Sequence, residues 1–201
     1  MFGHLAFGTS YLSRILLAYL SILAWGVTEG LVRANSRARG GPKESVISKD
    51  RWSFGALMVA LVIALGAPYL FLARGLGPVL PLWVAVAGTV LTLIGIGVRE
   101  WALFVLGRFF SPTVVIRADH RIVRDGPYRW IRHPSYTGLV LIVAGIGLIL
   151  GAVFGVLLAL GVASIGLGYR IHVEEQALVE RFGEEYGRYR ESTWTLLPGL
   201  Y

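Results

Sequence analysis

PSYTGLVLIVAGIGLILGAVFGVLLALGVASIGLGYRI, residues 134–171, is the stretch on which the fold turns. Its only charged residue is Arg170, next to its end. As one helix, these 38 residues would run ~57 Å at a rise of 1.5 Å per residue, against a bilayer hydrocarbon core of about 30 Å. The stretch therefore predicts two helices folded back on each other, with Leu150-Gly151-Ala152-Val153 as the turn. Pro134, suited to the first position of a helix, opens the first of them. The second continues beyond the membrane surface through Arg170 into Glu174, Glu175 and Arg181.

Three more apolar runs precede this pair: about Leu12 to Val32, with Arg14 near its start; Ser53 to Ala73, with Pro68 inside; and about Val79 to Val98. A signal peptide would carry basic residues ahead of its apolar run, whereas residues 1–13 hold no Lys or Arg. The first run thus reads as a retained helix. The expected fold is an all-α integral membrane protein of five transmembrane helices, the last two a hairpin. Residues 1–98 form three N-terminal helices with a polar loop, 33–51, broken by Gly40-Gly41-Pro42. Residues 99–201 form the second unit: a connector rich in charge, aromatics and helix breakers, then helices four and five, then a C-terminal segment.

Composition agrees with the membrane reading. Of 201 residues, 55% are hydrophobic and 15% charged, against about 25% charged in ordinary soluble domains. The net charge of +7 could suggest a nucleic-acid partner, but its distribution argues otherwise. Seventeen of the nineteen Lys and Arg fall in 33–51, 99–132 and 170–190, and only Arg14 and Arg74 lie outside. An odd number of spans brings those three regions to one side, and positive residues mark the cytoplasmic side. The expected topology has the N-terminus outside and the C-terminus in the cytoplasm, with the bilayer as partner and no nucleic acid. There is no Cys, and the four His (His4, His120, His133, His172) have no ligand spacing, so no metal site is expected. Nothing in the pattern sets an oligomeric state.

Two stretches on the cytoplasmic side carry chemistry, 117–138 and 170–190. The fold-back brings Tyr128, Arg132, His133, Tyr136, Arg170, Glu174 and Glu175 near one membrane surface, where ionisable groups are costly unless paired or functional. Arg170 and Glu174, four apart, share a helix face; an ordinary surface ion pair is the plain alternative. The start of helix four at His133-Pro134 points N–H groups at the basic side and would attract an anion, with Arg132 adding charge; lipid contact and simple capping are the plain readings there. Gly95-Ile96-Gly97 suits helix packing better than cofactor contact. The tail 180–197 interleaves charge with Phe182, Tyr186, Tyr189 and Trp194, as an interfacial anchor or a lid would.

The run from His120 to Gly138, HRIVRDGPYRWIRHPSYTG, resembles the hallmark of the isoprenylcysteine carboxyl methyltransferase and phospholipid methyltransferase superfamily. A second hallmark follows, RIHVEEQAL from Arg170 and FGEEYGRY from Phe182. The resemblance covers about residues 95–198 and makes 99–201 a methyltransferase core. It implies a cytoplasmic S-adenosylmethionine pocket capped by the C-terminal segment, with a lipid-facing entrance for an apolar or amphipathic acceptor. It implies cofactor contacts from His120, Ile122, Val123, Tyr128, His133, Pro134, Ser135, Tyr136 and Glu174, with Glu175 in support. Arg170 matches the superfamily's substrate-orienting arginine, so Arg170 and Glu174 are the expected catalytic pair.

An arginine suits a carboxylate acceptor, which favours an isoprenylcysteine-type substrate over a phospholipid amine. Two rival classes remain: membrane sterol-type reductases, which share a related C-terminal arrangement but use NADPH, and a non-catalytic lipid-binding protein. The intact RHPSYTG and FGEEY runs favour the methyltransferase.

Overall fold

The structure is a computed structural model that describes residues 2–38, 45–50, 52–111, 114–117 and 120–199. The Gly40-Gly41-Pro42 break in the first loop lies outside the described residues. The elements in chain order are α1 (Phe2–Ala38), β1 (Ser45–Asp50), α2 (Trp52–Ala73), α3 (Leu82–Leu106), β2 (Val114–Arg117), α4 (Pro134–Leu150), α5 (Val153–Phe182) and α6 (Glu184–Glu191), with short 3-10 turns at Gly107–Phe109 and Gly126–Arg129. The fold is helical, with one small addition to the expected architecture. β1 and β2 pair antiparallel, the Val114-Val115-Ile116 run supplying the β-branched residues that favour an extended chain.

Among the described residues, four helical stretches are long and apolar enough to cross a membrane: Tyr11–Asn35, Trp52–Ala73, Leu82–Phe109 and Val153–Phe182. Their outward faces are apolar, with Leu20, Val59, Val86 and Ile165 all largely exposed. Bare apolar surface on this scale suits lipid and not water. The chain is an integral membrane protein.

α4, shorter at 17 residues, is apolar on every side because it is the central helix. It packs on α3 along most of its length, and also touches α1 and α2, while α5 packs mainly on α2. The α3–α4 contact is as close as two helices come. A Cβ added to Gly95 would stand 2.7 Å from the Gly138 carbonyl oxygen, and one added to Gly88 would stand 2.7 Å from that of Gly145. Each pair recurs after seven residues, two turns of helix on one face. Gly95 therefore has the packing role expected of it; Gly97 faces open space.

α3 does not end at Val98. It runs on to Leu106, so Arg99 and Glu100 are helical and the connector starts later than the sequence suggested. The reason is pairing: Arg99 meets Glu29 of α1, and Thr28 donates to Glu100 at 3.2 Å. At the opposite end, Gly151 closes α4 with φ of 76°, a left-handed backbone that glycine adopts without strain. Arg14 of α1 donates there to the Ile149 carbonyl at 2.9 Å, answering one of the carbonyls a helix end leaves unpaired. That explains a basic residue inside the first apolar run.

Candidate active site

The polar side chains gathered from α4 and α5 form one connected cluster. Tyr136 donates its hydroxyl to Glu174 Oε1 at 2.6 Å. Arg170 Nε donates to the same oxygen at 3.0 Å and to the Tyr136 hydroxyl at 3.2 Å. Its Nη1 donates to Ser53 Oγ of α2 at 2.8 Å. Both Arg170 and Ser53 are buried, so a guanidinium charge is held away from water by partners from three helices.

His133 stands between the two carboxylates. Its Nδ1 lies 3.5 Å from Glu174 Oε2 and its Nε2 3.4 Å from Glu175 Oε1. A carboxylate only accepts, so satisfying both contacts requires both ring nitrogens to carry protons. Burial alone would lower the His133 pKa, but the hydrogen bonds and charges of Glu174 and Glu175 outweigh it and hold the imidazole above the ordinary histidine value. The His133 ring also stacks on Tyr136, with centroids 5.7 Å apart.

Arg132 has a different role from the one its sequence suggested. Its Nε donates to Glu175 at 2.9 Å. Its two Nη atoms donate to the Arg190 and Thr193 carbonyls and to Thr195 Oγ1. The guanidinium is thus spent on fastening the C-terminal segment. Backbone bonds reinforce the strap: the Arg132 and His133 N–H groups donate to the Trp194 and Thr195 carbonyls at 2.8 and 3.1 Å. The start of α4, expected to attract an anion, has the His133 N–H taken by the chain's own tail. Tyr189 of α6 donates to the Tyr128 carbonyl at 2.7 Å, and burial pushes its phenol up to about 12.

These groups face a cavity of about 430 Å³ whose wall is part polar and part apolar. Its polar lining comes from His120, Tyr128, Arg132, His133, Ser135, Tyr136, Arg170 and Glu174, joined by Arg33, Arg99 and Ser111. Its apolar lining comes mainly from one stripe of α2 (Phe54, Leu57, Met58, Leu61, Val62 and Leu65), with Trp25 of α1, Leu139 of α4, and Leu106, Phe109, Phe110 and Leu178. The remaining residues named from the sequence lie off the wall. Glu175 sits behind His133, Pro134 is buried in the first turn of α4, and Ile122 and Val123 are half-buried in the connector. His120 packs between Phe109 and Phe182, with centroids 4.9 and 6.1 Å away.

The sequence reading missed the contributions of α1, α2 and α3. Glu29 accepts from Arg99 Nε and Nη2 at 2.5 and 2.7 Å, from Trp25 Nε1 at 3.0 Å and from Arg33 Nε at 2.8 Å. Arg99 in turn donates to the Ser135 carbonyl at 3.1 Å. A signal existed, because Glu29 is the only acidic residue in the first 43, and a carboxylate inside an apolar run implies a partner. For Ser53 there was none.

Comparison with known proteins gives a consistent result. The Isoprenylcysteine carboxyl methyltransferase (ICMT) family matches residues 87–180. The protein-S-isoprenylcysteine O-methyltransferase of Schizosaccharomyces pombe is 35% identical over 102 residues, covering 50% of this chain and 43% of its own. That of Homo sapiens is 34% identical over 119 residues, covering 58% and 42%. The chain thus matches less than half the length of these relatives. A solved eukaryotic intramembrane Ras methyltransferase ICMT shares the fold, with a TM-score of 0.61 at 22% identity, over 96% of this chain and 74% of that one. Over residues 87–180, then, the chain carries the pattern of the isoprenylcysteine carboxyl methyltransferase family, and the resemblance read from its motifs is borne out.

Proposed function

We propose that the protein is an S-adenosylmethionine-dependent membrane methyltransferase whose acceptor has a prenyl- or lipid-like tail and a carboxylate at its reacting end. The observation that carries this reading is the mixed lining of one cavity, charged and hydrogen-bonding side chains together with a long apolar stripe of α2, which we read as a polar end and an apolar arm. The relatives' names, protein-S-isoprenylcysteine O-methyltransferase, agree with it.

The residues at the polar end fit the cofactor. The cavity volume falls within the ~300–1,000 Å³ of small-molecule sites, and the wall offers carboxylate, hydroxyl, imidazole and aromatic groups side by side. When bound, S-adenosylmethionine supplies an electrophilic methyl group on a cationic sulfonium. Glu174, with Tyr128, His133, Ser135 and Tyr136, would hold it, and His120 would add a ring; Ile122, Val123 and Pro134 back that wall, and Glu175 steadies His133. Arg170, clamped by Tyr136, Glu174 and Ser53, orients an anionic acceptor. A carboxylate oxygen already has its lone pair available, so no proton has to move and no general base is needed. Positioning and exclusion of water then account for the rate. An amine acceptor would need a proton taken away and would be repelled by Arg170.

The same reading extends to topology. α4 at 17 residues reaches ~26 Å, at the short limit for a span. It makes the fifth crossing and forms an antiparallel hairpin with α5. The charge distribution supports an N-terminus outside, with the pocket and C-terminus cytoplasmic. Residues 99–201 form the catalytic core, and 1–98 supply the acceptor's arm and the buttress of Glu29.

The test is transfer of labelled methyl from S-adenosylmethionine to N-acetyl-S-farnesylcysteine by the purified protein. Wild type should turn over, and Arg170→Ala should lose roughly ten- to a hundredfold in kcat/KM, the worth of a charge-assisted hydrogen bond. NADPH-dependent reduction without methyl transfer, or full activity of Arg170→Ala, would contradict the reading.

A further inference from the structure

Beyond the apolar arm, α1, α2 and α4 line a second, open-sided cavity of about 250 Å³, with Ile15, Ile22, Tyr69, Ile146 and neighbouring residues in its wall. None of its lining residues is charged. Among the described residues, Leu65 alone lines both cavities.

The two voids follow a single stripe of α2. Phe54, Leu57, Met58, Leu61, Val62 and Leu65 wall the first, and Leu65, Gly66 and Tyr69 wall the second. These positions recur at three- and four-residue steps, one helix face. From Phe54 to Leu65 the stripe covers ~16 Å of helix axis, and Tyr69 lies ~6 Å further on. The second cavity therefore extends the first, away from Arg170. Leu65 and Trp25 are also the residues packed against both buried clusters of the bundle core, so the partition is a waist in the protein as well as between the voids. Its two halves differ in freedom. The Trp25 indole is fixed by its 3.0 Å bond to Glu29, whereas Leu65, with no polar group to bond, is held by packing alone and borders both spaces.

We propose that Leu65 is a specificity-determining residue that sets the tail length the enzyme accepts, and that the second cavity takes the far end of acceptor tails too long for the first. The proposal rests on the acceptor reading above. The occupant is the acceptor's own apolar tail, because the second cavity continues the arm that the tail would already fill. Shortening Leu65 joins the two spaces; enlarging it closes the passage.

The experiment compares kcat/KM for S-geranyl, S-farnesyl and S-geranylgeranyl N-acetylcysteine in wild type, Leu65→Ala, Leu65→Val and Leu65→Phe. Cofactor-free binding of the same tails, read by displacement of a fluorescent prenyl probe, provides a second readout. Leu65→Ala should raise the geranylgeranyl-to-farnesyl ratio on the order of tenfold, the discrimination available to small changes in an apolar pocket. Leu65→Val should move it the same way by less, and Leu65→Phe should lower it. The milder Val variant keeps the test decisive if the Ala variant folds poorly. Turnover of these acceptors with ratios unchanged in every folded variant would overturn the proposal alone. Failure of wild type to methylate or bind any of the tails would overturn the acceptor reading and the proposal with it.

Discussion

Glu29 of α1 holds Arg99 of α3 through two hydrogen bonds, at 2.5 and 2.7 Å, with both side chains buried. The pair joins the first helix to the third, and its third contact, from Arg99 Nη1 to the Ser135 carbonyl, reaches the start of α4. His133 and Tyr136 lie within two residues of that carbonyl. A salt bridge outside both sequence hallmarks thus braces the segment that carries the candidate site.

Removing one member of such a pair leaves a buried charge uncompensated, at a cost of about 3–5 kcal/mol. Glu29→Ala should lower the thermal midpoint of the detergent-solubilised protein strongly. Glu29→Leu combined with Arg99→Met, which removes both charges, should recover much of the loss. Additive losses in the double variant would show that the pair is not coupled.

The glycine contacts between α3 and α4 make a contrast within one helix. Gly95→Ala should destabilise the bundle markedly, because its methyl would press on the Gly138 carbonyl with no side chain to yield. Gly97→Ala meets nothing within 4 Å and should be neutral, or stabilising by up to ~1 kcal/mol through helix propensity. Thermal unfolding of the two variants in parallel tests this, and equal effects would refute the close approach.

His133 should make stability depend on pH. Its folded pKa is raised, so its contribution is fully present below the unfolded value of about 6.5 and is lost as pH rises through the folded value. The thermal midpoint of wild type should therefore fall across that window, and His133→Gln should flatten the decline. A wild-type curve that rises there, or an unaltered slope in the variant, would contradict the His133–Glu174–Glu175 arrangement.

Much of this was legible in the sequence, for identifiable reasons. The length of the 134–171 run calls for a break on geometry alone, and α4 gives way to α5 at Gly151-Ala152; helical spacing puts Arg170 and Glu174 on one face. What stayed hidden was long-range pairing. Arg99 and Glu100 looked like a helix boundary because their partners lie about 70 residues earlier, on α1. Arg132 looked available to a ligand because the carbonyls it binds belong to the tail some 60 residues on. The β1–β2 pair could not be read from either strand, since neither short segment is stable without the other. Ser53 gives no signal, because a serine opening an apolar helix is an ordinary sight.

The most direct test of the whole account is a calorimetric titration of the purified protein with S-adenosylhomocysteine, comparing wild type with Glu174→Ala. The account predicts saturable binding to wild type and a loss of roughly tenfold or more in the variant, as expected when a buried charged partner is removed. No binding to wild type, or equal affinity in Glu174→Ala, would contradict it.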